Sequence, residues 1–345
     1  MAKGLAFLKN KYFWVVVGVV LISVAWAGLA FYEKTYRAYP GEEAVWIKIP
    51  RNSSEQAIQD SLKNSLGVDY GKAVFELWTT LNGRAERAPG AYRIKPGDRV
   101  IDIARRLRAN DQTPVKVAFN NIRLIEQLAP AVCKYLDFSE QQFNAVLDST
   151  LAKAGYDKAD YIGAFLPDSY EFYWTAKPDD VVKRLVEYRD KFWNDDRRAK
   201  AAKLGLSPEQ VTTLASIVDE ETAASDEKAT VARLYLNRLE KGMRLQADPT
   251  VKYAVGDFTL RRILNSHLQI DSPYNTYKVE GLPPGPIRMP EKATIDAVLN
   301  APQHDYLFMC ARETFDGHHN FAKTMAEHNE NARRYRAALD ARGIK

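Results

Sequence analysis

The sequence predicts an α+β protein: one long apolar N-terminal helix, a small strand-and-helix region, and a larger helix-rich region with a modest sheet. Three observations predict it. The run YFWVVVGVVLISVAWAGLAFY, Tyr12 to Tyr32, carries no charge and is long enough to cross a bilayer as a single helix. Most of the remaining chain shows apolar residues at helical spacing, broken by Pro- and Gly-marked turns. Short apolar/polar alternations such as AVWIKIP and PVKVAF read as strands.

At 345 residues and 46% hydrophobic content, the chain can bury a sizeable core and is expected to hold more than one domain. Its net charge of +5 comes from 49 basic and 44 acidic residues spread along the chain. No basic stripe marks a nucleic-acid surface, so no nucleic-acid partner is expected. Cys133 and Cys310 stand in no CxxC or Cys/His spacing, which argues against a zinc site or a disulfide framework and suggests two buried thiols.

The apolar run, residues 12–32, follows a short tail, residues 1–11, that carries Lys3, Lys9 and Lys11. The positive-inside rule therefore places the N-terminus in the cytoplasm and the rest of the chain outside the inner membrane. Ala25-Trp26-Ala27 has the form of a signal-peptide cleavage site, but the apolar run is about twice the length of a signal-peptide core, which favours an uncleaved anchor.

Residues 33–52 read as a juxtamembrane connector ending in the strand AVWIKIP. Ser54 to Leu66 and Lys72 to Leu81 have helical spacing, and AYRI, the turn Lys95-Pro96-Gly97-Asp98 and a helix with Val100, Ile103, Ala104 and Leu107 on one face follow. The run YRIKPGDRVIDIA resembles the LysM peptidoglycan-binding module, although Arg99 and Val100 replace the usual Thr-Leu, and residues 53–114 are expected to form a LysM-like subdomain. An ordinary strand-turn-helix is the competing reading.

Residues 115–345 are expected to form the second, larger domain. PVKVAF opens it, with helical patterns around Ile122 to Leu136 and Glu140 to Ala154. FLPDSYEFYWTAKPDD reads as an aromatic loop, suited to packing more often than to stacking on sugars. A charged helix is expected from Pro178 to Lys203, and YLFMC is expected to join PVKVAF in the sheet.

The most informative helix is LSPEQVTTLASIVDEETA. Ser207 as N-cap, Pro208 at the first helical position and Gln210 three residues after the cap set its register. At about 100° per residue, Val211, Leu214, Ala215, Ile217 and Val218 share one side, and Glu221 lies within roughly 40° of its centre. Asp219 and Glu220 lie more than about 100° away and are expected to reach water. A carboxyl on a buried face has a raised pKa and can act as a general acid near neutral pH. On helical geometry alone, a salt bridge to a buried Arg is the commoner fate.

A second helix, capped by Ser225 and ending at Gly242, is expected next, with Val231, Leu234, Tyr235 and Leu239 as apolar positions. The long loops MRLQADPTVKYAVG and SPYNTYKVEGLPPGPIRMP then offer Gln246, Asp248, Thr250, Tyr274, Asn275, Thr276 and Tyr277, amide, hydroxyl and aromatic groups suited to sugars.

The blocks ASIVDEETA, VARLYLNRLEKGMRLQADPTVKYAVG, SPYNTYKVEGLPPGPI and GHHNFAKTMAEHN resemble, in order, the signature blocks of the endolytic murein transglycosylases, the MltG or YceG-like family. That family's Glu-Lys-Glu-Thr motif, whose second Glu is catalytic, falls here on Asp219, Glu220, Glu221 and Thr222. The resemblance implies that Glu221 is the catalytic acid and that cleavage of the MurNAc-β-1,4-GlcNAc bond leaves 1,6-anhydro ends. It further implies peptidoglycan glycan strands as substrate, peptidoglycan synthases at the inner membrane as partners, and no metal or cofactor. Gln246, Asp248, Thr250, Tyr274, Asn275 and Tyr277 would orient the sugars, and His319 would form or support a wall of their site. A hydrolysing muramidase with Asp248 as second carboxylate, and a silent wall-binding scaffold, are the rivals. His318, His319 and His328 match no metal-ligand spacing.

Overall fold

The computed structural model describes residues 11–260 and 262–343, so Lys3, Lys9 and the expected cytoplasmic tail before Lys11 lie outside the described residues. The uncharged run becomes α1 (Lys11–Tyr36), 26 residues long and apolar enough to cross a membrane. Most of its apolar side chains, Trp14, Val16, Val20, Ile22, Trp26 and Leu29 among them, are exposed. The rest of the described chain is helix-rich α+β with three separate two-stranded sheets.

The chain divides into two units. The first comprises the described residues up to Lys116 together with Tyr135–Asp137 and Glu171–Ala176. It contains α1, β1 (Val45–Ile49), α2 (Glu55–Leu66), α3 (Val68–Thr80), β2 (Gly90–Ile94) and α4 (Val100–Ala109). Ser54 caps α2 by accepting from the Ala57 amide, and Gly67, at φ 86, turns the chain into α3 where a side chain would be strained. β1 and β2 pair antiparallel, Val45 opposite Ile94 and Ile49 opposite Gly90. Ile47, Ile49, Ile58, Leu62, Trp78, Tyr92, Ile94 and Leu107 fill the core between sheet and helices. Residues 33–52 hold the last turn of α1 and β1. The intervening chain is stitched to α4's start by Tyr39 N donating to Asp98 O (2.8 Å) and Val100 N donating to Arg37 O (3.1 Å).

β3 (Val115–Phe119), the strand read from PVKVAF, pairs with β4 (Asp168–Phe172). That corrects the aromatic loop: its middle, Asp168–Phe172, is a strand whose Tyr170 and Phe172 are buried, with Trp174 buried just beyond it. Between the two strands come α5 (Leu128–Cys133) and α6 (Glu140–Lys153). The expected helix from Pro178 to Lys203 is two helices, α7 (Pro178–Phe192) and α8 (Asp195–Lys203). Asn194 breaks it by turning its side chain to accept from the Arg197 amide, an N-cap that competes with continued helix.

The second unit is built around α9 (Pro208–Glu221), α10 (Lys228–Glu240), α11 (Asp248–Val255) and α12 (Lys292–Leu299). Its core joins Leu214, Ile217 and Val218 of α9 with Val231 and Tyr235 of α10 and Ile295 and Val298 of α12. α10 starts at Lys228 rather than at a Ser225 cap, because Ala224 to Glu227 closes first as a turn. Asp248 and Thr250 stand in α11, a helix inside the stretch read as loop, opened by Pro249 in its first turn.

β5 (Phe308–Ala311), the YLFMC strand, pairs antiparallel with β6 (His319–Ala322), Phe308 opposite Ala322, and does not join PVKVAF in one sheet. α13 (Met325–Ala341) ends the described chain. Cys133 and Cys310 are free thiols, half-buried rather than buried.

Candidate active site

Ser207 Oγ accepts from Gln210 N (3.2 Å) while Gln210 Oε1 accepts from Ser207 N (2.9 Å), so the capping box holds the start of α9. From Val211 to Val218 every residue is buried. The helix is enclosed on all sides, not along one stripe. Thr212, Thr213 and Ser216 permit this because their hydroxyls donate back to the carbonyls of Pro208, Glu209 and Thr213, which satisfies them without water.

The three acids at its end therefore have three different fates. Asp219 and Glu220 do not project into water as free charges; each is ion-paired, with the Glu220 side chain 14% exposed. The Asp219 side chain is 2% exposed and accepts from Lys228 Nζ (2.7 Å), the Thr294 hydroxyl and the Glu291 amide (2.8 Å). Glu220 accepts from Arg123 Nη2 (2.7 Å) and Arg288 Nη1 (2.8 Å). Both act as ion-paired anchors for other segments, and their charges are compensated. Glu221 is half-buried and forms no ion pair among the described residues. Its one hydrogen-bond partner among them is the Tyr235 hydroxyl, which donates to Oε1 at 2.6 Å.

Burial pushes the Glu221 carboxyl up from its usual 4.5 to about 7. The Tyr235 hydrogen bond pulls the other way, Asp248 adds to the rise, the Arg238 guanidinium opposes it and Glu220 adds again. As the last residue of α9, Glu221 also sits at the helix end where a further negative charge is disfavoured. The result is a half-buried carboxyl that exchanges a proton near neutrality.

Asp248 Oδ1 accepts from the Tyr277 hydroxyl at 2.6 Å, and Asp248 and Tyr277 both lie within electrostatic reach of Glu221. Gln246 is exposed, held at φ 49, with its Oε1 3.5 Å from Arg238 Nη1. Two expected sugar contacts serve the scaffold instead. Thr250 is fully buried and bonds to Ala247 O (2.7 Å) and the Thr276 hydroxyl (2.8 Å). Asn275, also fully buried, donates to Leu268 O (3.0 Å) and Ile270 O (2.8 Å) and accepts from Tyr277 N (3.1 Å). Tyr274 packs its half-buried ring on Tyr253 with centroids 4.7 Å apart. His319, at the start of β6, places Nδ1 3.1 Å from Glu227, a buried carboxylate that also takes the hydroxyl of Thr222, the residue after Glu221. His318 faces Asp226 instead, and His328 lies against the Phe308 ring.

Tyr235 and Arg238 were not legible as site residues. Tyr235 counted as an apolar position, yet a phenol on a buried helix face needs a hydrogen-bond partner, and that requirement was the available signal. Arg238 is locked by donating to Leu307 O and Leu245 O, both at 2.7 Å, and burial lowers its pKa. It supplies fixed positive charge beside the site.

A family model described as the YceG-like family matches residues 47–334. A Bacillus subtilis protein named endolytic murein transglycosylase is 30% identical over 310 residues, covering 84% of this chain and 84% of its own length. A protein of the same name from Streptococcus pneumoniae is 23% identical and matched over 83% of this chain, but over only 57% of its own length. The crystal structure of a yceG-like protein from Listeria monocytogenes superposes with a TM-score of 0.55 at 26% identity, covering 84% of this chain and 99% of that one.

Proposed function

This chain belongs to the YceG-like family, and on that premise we propose that it is an endolytic murein transglycosylase that cleaves MurNAc-β-1,4-GlcNAc bonds within glycan strands and leaves 1,6-anhydroMurNAc ends. The observation that carries the reading is Glu221: a half-buried carboxyl, paired among the described residues with a phenol and no cation, that titrates near pH 7. In the first half of the reaction, protonated Glu221 donates to the glycosidic oxygen as the C1–O bond breaks and C1 gains oxocarbenium character. In the second, the carboxylate takes the proton of the MurNAc C6 hydroxyl, whose oxygen bonds to C1. One carboxyl serves both halves, and no water is consumed.

Asp248, Tyr277 and Gln246 are the groups of this reading that would orient sugars, with Tyr274 and His319 at the margins. Thr250 and Asn275 act through the loops they brace. Residues 53–114 form a LysM-like subdomain that binds glycan, and residues 115–345 the catalytic domain, in the same proposal. The strand-turn-helix of β2 and α4 supports the first of these. α1 is a single-pass anchor with the N-terminus in the cytoplasm, which keeps the enzyme near nascent strands and the synthases that make them.

The test is digestion of defined glycan strands by the detergent-solubilised protein, wild type against Glu221→Gln, with product ends read by mass. Anhydro ends, lighter by one water than reducing ends, from the wild type alone support the reading. Reducing ends identify a hydrolase using Asp248, and glycan retention without new ends identifies a scaffold.

A further inference from the structure

Glu221 has two oxygens and the structure occupies one of them. We infer that Tyr235 is the positioning residue of this carboxyl: its hydroxyl holds Oε1, which leaves Oε2 as the atom that gives up the proton and takes it back. The inference rests on the transglycosylase reading for its catalytic meaning, and on geometry for the pairing itself. Tyr235 stands on α10, 14 residues from Glu221, and is 2% exposed in the core shared with Leu214, Val218 and Leu245. A ring packed that tightly aims its hydroxyl in one direction, and the 2.6 Å bond to Oε1 is where it aims.

The pairing has a chemical consequence. A neutral phenol donates well to a carboxylate and adds little to a carboxylic acid, so Tyr235 favours the ionised form of Glu221. Burial and the neighbouring Glu221 charge push the Tyr235 phenol well above its usual 10, so it stays a donor throughout the working range. Glu221 is faced by Glu220 on its own helix, Tyr235 and Arg238 on α10, Asp248 on α11 and Tyr277 in the following loop. Arg238 Nε and Nη1 donate to backbone carbonyls and Gln246, and Tyr277 bonds to Asp248. That leaves Tyr235 as the direct donor to Glu221 among the described residues. By holding Oε1, it tempers the burial that would otherwise keep the proton on, and it makes the proton's departure and return use one fixed oxygen.

The experiment measures anhydro-end formation against pH for the detergent-solubilised full chain: wild type, Tyr235→Phe, and 3-fluorotyrosine at position 235. Losing the donor should move the alkaline limb of kcat upward by about one pH unit, roughly tenfold in proton affinity, with KM unchanged. Fluorotyrosine, a more acidic phenol and stronger donor, should move the limb downward, and it keeps the proposal testable if the Phe variant folds poorly. The infrared band of the protonated Glu221 carboxyl, identified by its loss in Glu221→Gln, is followed without substrate and should shift in the same two directions. A limb and a band that stay in place in both variants overturn the inference. Reducing ends from the wild type would instead overturn the transglycosylase reading, and activity retained by Glu221→Gln the catalytic role of Glu221, while the band would still decide the pairing.

Discussion

Replacing Glu221 with Gln should inactivate the protein at every pH and should gain stability over the wild type as the pH rises toward 7 and above. The carboxyl titrates at about 7 when folded against its usual 4.5. The folded state therefore holds a proton that the unfolded state has released between those two values. A raised folded pKa gives stability that is fully present below 4.5 and is lost as pH rises through 7. At about 1.4 kcal/mol per pH unit, the span corresponds to about 3 kcal/mol, reduced to about 2 kcal/mol because the carboxyl keeps an opening to solvent. Gln is neutral at every pH, fills nearly the same volume, and its carbonyl oxygen can accept from the Tyr235 hydroxyl. The variant-minus-wild-type stability, from urea unfolding of the detergent-solubilised protein at pH 4.5, 6, 7 and 8, should rise from a constant at the acid end by about 2 kcal/mol and level off near pH 8. Parallel curves across that range would refute the reasoning, since they would mean that the carboxyl titrates alike folded and unfolded.

Three further outcomes follow from packing within the second unit. Asp219→Ala strips the buried Lys228 of its closest carboxylate and should destabilise by about 3 kcal/mol in urea unfolding, whereas Glu291, more exposed, should cost under about 1 kcal/mol when replaced by Ala. Asn275→Ala leaves the Leu268 and Ile270 carbonyls and the Tyr277 amide without their partner. It should cost about 2 kcal/mol and raise KM on glycan strands more than it lowers kcat, because the loop carrying Tyr277 loosens. Gly285→Ala sets a Cβ against the Ala159 carbonyl, backbone that cannot swing away, and should lower the thermal midpoint by an amount equivalent to about 2 kcal/mol.

What the sequence alone determined was local. A long apolar helix around the uncharged run Tyr12 to Tyr32 follows from composition, and the start of α9 follows from the Ser207–Gln210 capping box, whose bonds span three residues. Once that start is set, helical periodicity points Glu221 in one direction, so the choice among three acids was made before any packing was known. What only the tertiary structure decided was which polar groups meet. Asp219 and Glu220 read as solvated because the groups that meet them come from other elements: Lys228 on α10, 9 residues on, and the Thr294 hydroxyl, 75 away, for Asp219, and Arg123 97 and Arg288 68 residues away for Glu220. Tyr235 read as apolar because its hydroxyl is satisfied on another helix. Thr250 and Asn275 read as sugar ligands because residue type does not say whether an amide or hydroxyl turns toward solvent or, as here, toward its own loops. Periodicity fixes a side chain's direction, but burial and pairing are properties of what the rest of the chain brings to meet it.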